Sequence, residues 1–285
     1  MPVPADKALP SLALPLASRQ RVEQALPSLG LALSAGQIDA LLAYLDLISK
    51  WTRVYNLTAV RDPAEMVTHH LMDCLAAMAP LAAHFEQARP RFLAGLVPQV
   101  AGQVLQKLAG KNSEQDPGTD AGTDAGTDVE KNGQQVVQGN RLLDVGSGAG
   151  LPGVVIAICF PGISVTCVDT VAKKAAFIKQ VALTLKLPNL KGLHARVEAL
   201  RAPEFAPFDV ICSRAFASLA DFTNWSAGAL APAGVWMAMK GRHPVDELAV
   251  LPPGIDVFHV EQLKVPALDA DRCIVWMRKR SVANG

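Results

Sequence analysis

The run Arg141-Leu142-Leu143-Asp144-Val145-Gly146-Ser147-Gly148-Ala149-Gly150-Leu151-Pro152-Gly153 is the part of the chain best suited to chemistry. Leu142, Leu143 and Val145 suit a buried strand, the alternating glycines let backbone approach a ligand without Cβ clashes, and Pro152 is tolerated in a helix first turn. A strand, a glycine turn and a helix start in that order form a nucleotide cradle. Two registers fit it. Gly148-Ala149-Gly150-Leu151-Pro152-Gly153 matches the G-x-G-x-x-G dinucleotide fingerprint, with Asp169 about 20 residues on to hold a ribose. The other register, Asp144-x-Gly146-x-Gly148-x-Gly150, puts an acid at the strand end, which suits a ligand lacking a pyrophosphate.

The elements around this run must position it. From Arg141 onward apolar strands, near 141–145, 163–168, 190–194, 208–212, 233–239, 255–260 and 272–278, alternate with helical segments such as Ala172 to Lys186. This is a doubly wound α/β pattern, with its ligand expected at the carboxyl ends of the first two strands. The last two strands, joined through Pro266-Ala267-Leu268-Asp269, suit an antiparallel pair. Upstream, Ser34-Ala35-Gly36-Gln37 reads as a capping box, and Ile38, Leu41, Leu42, Leu45 and Ile48 follow at helical spacing to about Trp51. Asp62-Pro63-Ala64-Glu65 repeats the start signal, with Asp62 as N-cap and Glu65 at N3. The expected organisation is a helical unit over 18–84, an insertion over 85–140 and the α/β domain over 141–280.

Within the insertion, Val100, Val104, Leu105 and Leu108 suit one helix, and Gly118-Thr-Asp-Ala, Gly122-Thr-Asp-Ala and Gly126-Thr-Asp-Val then repeat with period four. Such a tract buries too little apolar surface to offset its ordering entropy, so a disordered acidic loop is expected. Residues 111–131 hold two lysines against six acids, net −4, so the overall charge of +1 leaves +5 elsewhere. That excess is compatible with nucleic acid without arguing for it.

With 285 residues, 50% of them apolar, the chain can bury a large core. No apolar run approaches the roughly 20 residues of a membrane span. A proline-broken start without a signal-peptide pattern suggests a cytoplasmic protein. The five cysteines lack C-x-x-C spacing, so neither a disulfide framework nor a metal site is expected. Cys212 lies in a core strand without the Pro-Cys context of a cytosine-modifying nucleophile.

The Asp144-x-Gly146-x-Gly148-x-Gly150 register resembles motif I of the S-adenosylmethionine (SAM) dependent methyltransferases. Further stretches narrow the likeness: Tyr55-Asn56-Leu57-Thr58-Ala59-Val60-Arg61-Asp62-Pro63, His70-Leu71-Met72-Asp73, Ser213-Arg214-Ala215-Phe216-Ala217-Ser218, Met239-Lys240-Gly241 and Val265-Pro266-Ala267-Leu268-Asp269. Together they resemble the RsmG (GidB) family of bacterial 16S ribosomal RNA guanine-N7 methyltransferases, over roughly residues 30–84 and 141–280. The departures are His69, Cys74 and the 85–140 insertion.

The resemblance implies a Rossmann-like class I methyltransferase sheet, mostly parallel with its last strand antiparallel, behind an N-terminal helical cap. It implies SAM as cofactor and methylation at N7 of guanine 527 in the 530 loop, with 16S rRNA or the 30S subunit as partner. Neither DNA nor a membrane is expected, and a monomer is. By residue, the family's cofactor contacts fall on Gly146, Leu151, Val197, Glu198 and Arg214, and Asp144, Gly148, Gly150 and Asp169 join them from the nucleotide cradle. Arg214 would orient cofactor or RNA near the transfer centre. Lys173, Arg196 and Lys240, bordering strand ends, together with Arg61 and His70, are the candidate RNA contacts. Asn56 reads as a turn or cap residue, and Phe216 as either a stacking platform or a buried aromatic. Guanine N7 presents an in-plane lone pair, so alignment replaces a general base. Two rival readings are a noncatalytic SAM-binding assembly factor and an NAD-linked oxidoreductase.

Overall fold

The computed structural model describes residues 16–88 and 140–280. The expected 100–108 helix and the acidic repeat lie outside them. Its centre is a seven-stranded sheet in the order β3-β2-β1-β4-β5-β7-β6. The strands are β1 (Arg141–Val145), β2 (Ser164–Asp169), β3 (Leu190–His194), β4 (Phe208–Arg214), β5 (Leu230–Lys240), β6 (Ile255–Leu263) and β7 (Arg272–Lys279). β1 to β5 run parallel, and β7 is antiparallel to both of its neighbours. This is the expected Rossmann-like class I sheet. The strand order reverses between β1 and β4, which opens a crevice at their carboxyl ends.

Period-2 alternation sends each strand's side chains into two apolar layers. Leu142, Val210, Met237 and Trp276 face one core, while Leu143, Val145, Ile211 and Trp236 face the other. The first core also takes in the N-terminal helices. These are α1 (Leu16–Ala25), α2 (Ala35–Tyr55), α3 (Pro63–Met66), α4 (Asp73–Leu75) and α5 (Met78–Ala88). Tyr44, Leu45, Leu71 and Phe85 belong to the same apolar cluster as the sheet face, and His84 stacks on Trp276 with ring centroids 4.9 Å apart. The helical segment is therefore a layer over the sheet, and α5 carries it to Ala88, past the expected boundary at 84.

Both start signals operate. Ser34 accepts from the Gln37 N–H while Gln37 returns a bond to the Ser34 N–H, and the Asp62 carboxylate accepts from the N–H groups of Ala64 and Glu65. α2 runs one turn beyond the expected Trp51 and ends at Asn56, a C-cap with φ of 51°. Between α3 and α4 the chain takes a π-helical course over Val67–Met72, which no local signal announced.

On the sheet's first face lie α6 (Gly153–Cys159) and α7 (Ala172–Thr184). The other face carries α8 (Leu219–Ser226), with a short α9 (Val245–Ala249) beside it. α7 packs directly on β3 at Gly192, where a Cβ would stand 2.7 Å from the Ala175 carbonyl oxygen and 2.9 Å from Ile178 Cβ. Both obstacles are helix framework and cannot swing aside. Gly192→Ala is expected to lose about 1–3 kcal/mol of stability through overpacking, read from the midpoint of urea unfolding. An unchanged midpoint would show that α7 can lift from the strand without cost.

Candidate functional site

β1 ends at Val145, and the chain turns through three glycines with positive φ: Gly146 at 64°, Gly148 at 57° and Gly150 at 91°. They serve different sides of the loop. A Cβ on Gly146 would lie 2.4 Å from Cδ2 of Phe216, whose ring lies over the turn, whereas one on Gly148 would meet nothing nearer than 3.9 Å. Gly150 faces inward, where a Cβ would strike Val154 and Ile178 and approach the Tyr44 hydroxyl. Packing against α6 and α7 is therefore what requires glycine at this position.

Three side chains hold the loop from behind. Asp144 alternates to the same face as Leu142 and is fully buried, its Oδ2 accepting from the Gly153 N–H at 2.9 Å. That contact requires glycine at 153, because a Cβ there would stand 2.7 Å from the same oxygen. Burial pushes the Asp144 carboxyl up to about 7, against the lowering pull of the Gly153 N–H and of Arg214. Asp144 thus lies under the loop and reaches it through backbone. Tyr44, from α2, donates its buried hydroxyl to the Ala149 carbonyl at 2.7 Å. Asp169, ending β2, accepts from Gly148 N–H at 3.0 Å and Val171 N–H at 2.8 Å.

Leu151 and Val197 are buried in opposite cores, and Glu198 is exposed in the turn after β3. Val197 shares its core with Leu219 and Phe222 of α8, and Phe216 packs against that cluster. The ring of Phe216 stands edge-on to Phe222 and to the half-exposed Trp225.

Arg214 is the last residue of β4, which extends two residues further than expected. Its Nη1 donates to the His69 carbonyl at 2.9 Å and to Asp73 Oδ2 at 2.7 Å. The other oxygen of Asp73 accepts from Nε of Arg272, at the start of β7, also at 2.7 Å. One buried carboxylate thus bridges two guanidinium groups. Beside this clamp opens a cleft of about 490 Å³ whose lining includes Glu65, His69, His70, Asp73, Arg214, Lys240 and Arg272. Ala215, also on the cleft wall, takes a left-handed φ of 53°, and Phe216 follows it onto Gly146. The cleft and the glycine loop are therefore adjacent.

The expected RNA contacts divide. Arg61, Lys173 and Arg196 are exposed, Arg61 donating to the Asn56 side chain at 2.9 Å. His70 is only 5% exposed, and its Nε2 pairs with the Thr58 hydroxyl at 2.8 Å. Burial, and then the Arg214 guanidinium nearby, push its imidazole down to about 4. His70 is thus a buried member of the cleft wall, unlike the three exposed cations. Lys240 reaches the cleft but is held by both Glu247 oxygens, at 3.0 and 2.8 Å. Lys240 is thus half of an ion pair on the cleft wall. Sequence reasoning missed Asp73, Arg272, Tyr44 and Gly153. Of these, Gly153 carried a local signal as the glycine after Pro152, and Asp73 stood in the His70-Leu71-Met72-Asp73 stretch without a role of its own.

The family described as rRNA small subunit methyltransferase G matches residues 37–89 and 131–275 of the chain. The ribosomal RNA small subunit methyltransferase G of Polaromonas sp. (strain JS666) is 57% identical over 266 residues, 93% of this chain and 96% of that relative. The protein of the same name from Polaromonas naphthalenivorans is 57% identical over 260 residues, 91% of this chain and 95% of that one. That of Albidiferax ferrireducens is 55% identical over 263 residues, covering 92% and 98%.

His70 and Asp144 give stability opposite dependences on pH. An imidazole at about 4 in the fold and 6.5 when unfolded gains its proton on unfolding, so acidification from pH 6.5 to 4 erodes stability. A carboxyl at about 7 in the fold and 3.8 unfolded contributes stability fully below 3.8 and loses it as pH rises through 7. Where the windows overlap, the slopes oppose at up to about 1.4 kcal/mol per pH unit each. His70→Gln removes the first slope. Urea unfolding at pH 7, 6, 5 and 4 is expected to show the variant gaining about 1 kcal/mol per unit relative to wild type as pH falls below 6.5. A pH-independent difference would mean that His70 titrates normally in the fold.

Proposed function

The chain belongs to the rRNA small subunit methyltransferase G family, and we propose that it transfers a methyl group from SAM to N7 of guanine 527 in the 530 loop of 16S rRNA. The observation that carries this reading is the cleft of Asp73, Arg214 and Lys240 lying directly beside the glycine loop. The substrate is 16S rRNA or the small-subunit particle, and the reaction belongs to the cytoplasm, where ribosomes are built. Among the described residues, no helix is long and apolar enough to cross a membrane.

The loop suits such a ligand on its own geometry. Gly146 and Gly148 hold φ values that side chains rarely adopt, Gly148 faces open space, and the buried Ser147 hydroxyl has no hydrogen-bond partner among the described residues. In this reading the backbone of Gly146 and Gly148 lies along the cofactor and Asp169 takes the ribose with its remaining lone pairs. Leu151 lines the loop, while Val197 and Glu198 meet the adenine. SAM supplies a methyl group on a positively charged sulfur.

The chain's own residues then have one task, alignment. Guanine N7 attacks with a lone pair it already has, so no proton is removed before transfer. The cleft is consistent with that requirement. Asp73 has both oxygens committed to arginines, and Nε2 of His70 is paired with Thr58. Arg214, fixed by Asp73 and the His69 carbonyl, orients the incoming nucleotide with the donors it has left. Arg61, Lys173 and Arg196 meet phosphates and set position without reading sequence.

Labelled SAM incubated with small-subunit particles from a strain lacking this activity, followed by mass spectrometry of nuclease fragments, tests the assignment. Label on N7 of guanine 527 is expected; bound SAM with label elsewhere would redirect the site. Gly146→Asp puts a charged side chain where Phe216 and the cofactor must lie, at a φ of 64°. It is expected to bring SAM binding below calorimetric detection and to abolish methylation with it. Normal small-subunit assembly supported by this dead variant would favour the assembly-factor reading.

A further inference from the structure

The exposed carboxylate of Glu65 is the anomaly of the cleft. Glu65 sits at N3 of α3, the position that Gln37 occupies in α2. Gln37 folds its side chain back to accept from the N–H of its cap residue, Ser34, at 3.0 Å. Glu65 makes no such return, although Asp62 caps the helix on its side by accepting from the Glu65 N–H. Its carboxylate has no hydrogen bond or ion pair among the described residues, and it lines the cleft with Arg214, Lys240 and Arg272. An acid left unpartnered beside cations is a poor choice for a surface that must accept a polyanion. It is a good choice if the ligand brings its own donors.

Guanine brings them. The methyl-accepting N7 must stay clear, so the base has to be held by its other atoms. These are the O6 acceptor beside N7 and the donors N1–H and N2–H₂ on the opposite edge. Of the acids lining the cleft, Asp73 is saturated by Arg214 and Arg272, which leaves Glu65. We propose that Glu65 accepts the N1–H and N2–H₂ pair of the target guanine, and so determines base specificity in the methyl transfer. This rests on the reading given under Proposed function.

The charge flow of the reaction supports the placement. As N7 forms its bond to carbon, the sulfur–carbon bond breaks with its electron pair leaving on sulfur, and positive charge passes to the guanine ring. The N1–H and N2–H bonds become more polar as this happens. A carboxylate on that edge therefore binds the transition state more tightly than the ground state. Adenine has no hydrogen on N1, and pyrimidines present no N7.

The test compares particles reconstituted with guanine or with inosine, which lacks the 2-amino group, at the acceptor position. Wild-type protein is expected to lose about ten- to a hundredfold in kcat/KM on inosine, the cost of one charge-assisted hydrogen bond. In Glu65→Ala the two substrates are expected to react at similar, low rates. Glu65→Gln keeps the shape and removes the charge, and is expected to react at least tenfold more slowly with guanine. Both variants should bind SAM as wild type does, which shows that their fold and glycine loop are intact. If wild type labels guanine N7 but the guanine-to-inosine ratio is the same in Glu65→Ala, or is near one in wild type, this inference falls alone. If wild type places no label on guanine N7, the functional reading falls and carries this inference with it.

Discussion

The carboxylate of Asp73, shared between Arg214 and Arg272, is the contact on which the cleft side of the molecule depends. Its three members come from α4, the end of β4 and the start of β7, and are separated by 141 and 199 residues from Asp73. Taking these charges out of water is costly, and only good geometry on both carboxylate oxygens offsets it. The 2.7 Å bonds meet that condition. They dock the N-terminal helices over the carboxyl ends of the sheet, where the π-helical stretch turns the His69 carbonyl toward the same guanidinium. Removing Asp73 alone would leave two half-buried cations facing each other, which is why such a bridge is all or nothing.

The glycine loop follows the same logic with neutral partners. Asp144 takes the helix start at Gly153, Asp169 takes Gly148, and Tyr44 takes Ala149. Each comes from a different element, so the loop is fixed in space before any ligand arrives. Preorganisation of this kind lowers the ordering cost of binding. It also explains why two carboxyl groups can stand so near a site without dominating its charge. Asp144 spends one oxygen on the Gly153 N–H under the loop, where burial pushes its carboxyl up to about 7, so that a substantial share of it keeps its proton near neutrality.

Much of this was legible in the sequence because it is local. The strand periods, the Ser34 and Asp62 start signals and the glycine turn all operate through neighbours a few residues apart. Even the burial of Asp144 follows from alternation, since it must share a face with Leu142. What was not legible is what the fold brings together. His70 looks like a titratable cation until Thr58 and a buried environment are added, and Lys240 looks free until Glu247 is placed beside it. The π-helical course over Val67–Met72 follows no sequence period, and it lies directly before the Asp73 that docks the segment on the sheet.

These pairings bear on how a methyl cation equivalent can be handed to a neutral base. The base becomes positively charged as transfer proceeds, so unmatched cations at its edge would oppose the step. In the cleft, Arg214 and Arg272 share Asp73, and Lys240 is matched by Glu247. The unmatched cations among the candidates, Arg61, Lys173 and Arg196, are exposed, where screening by solvent makes them suited to phosphates. On the proposed reading, the molecule separates two demands that a single basic groove could not meet. Surface charge draws the RNA backbone in, and a nearly neutral interior lets the base become the cation.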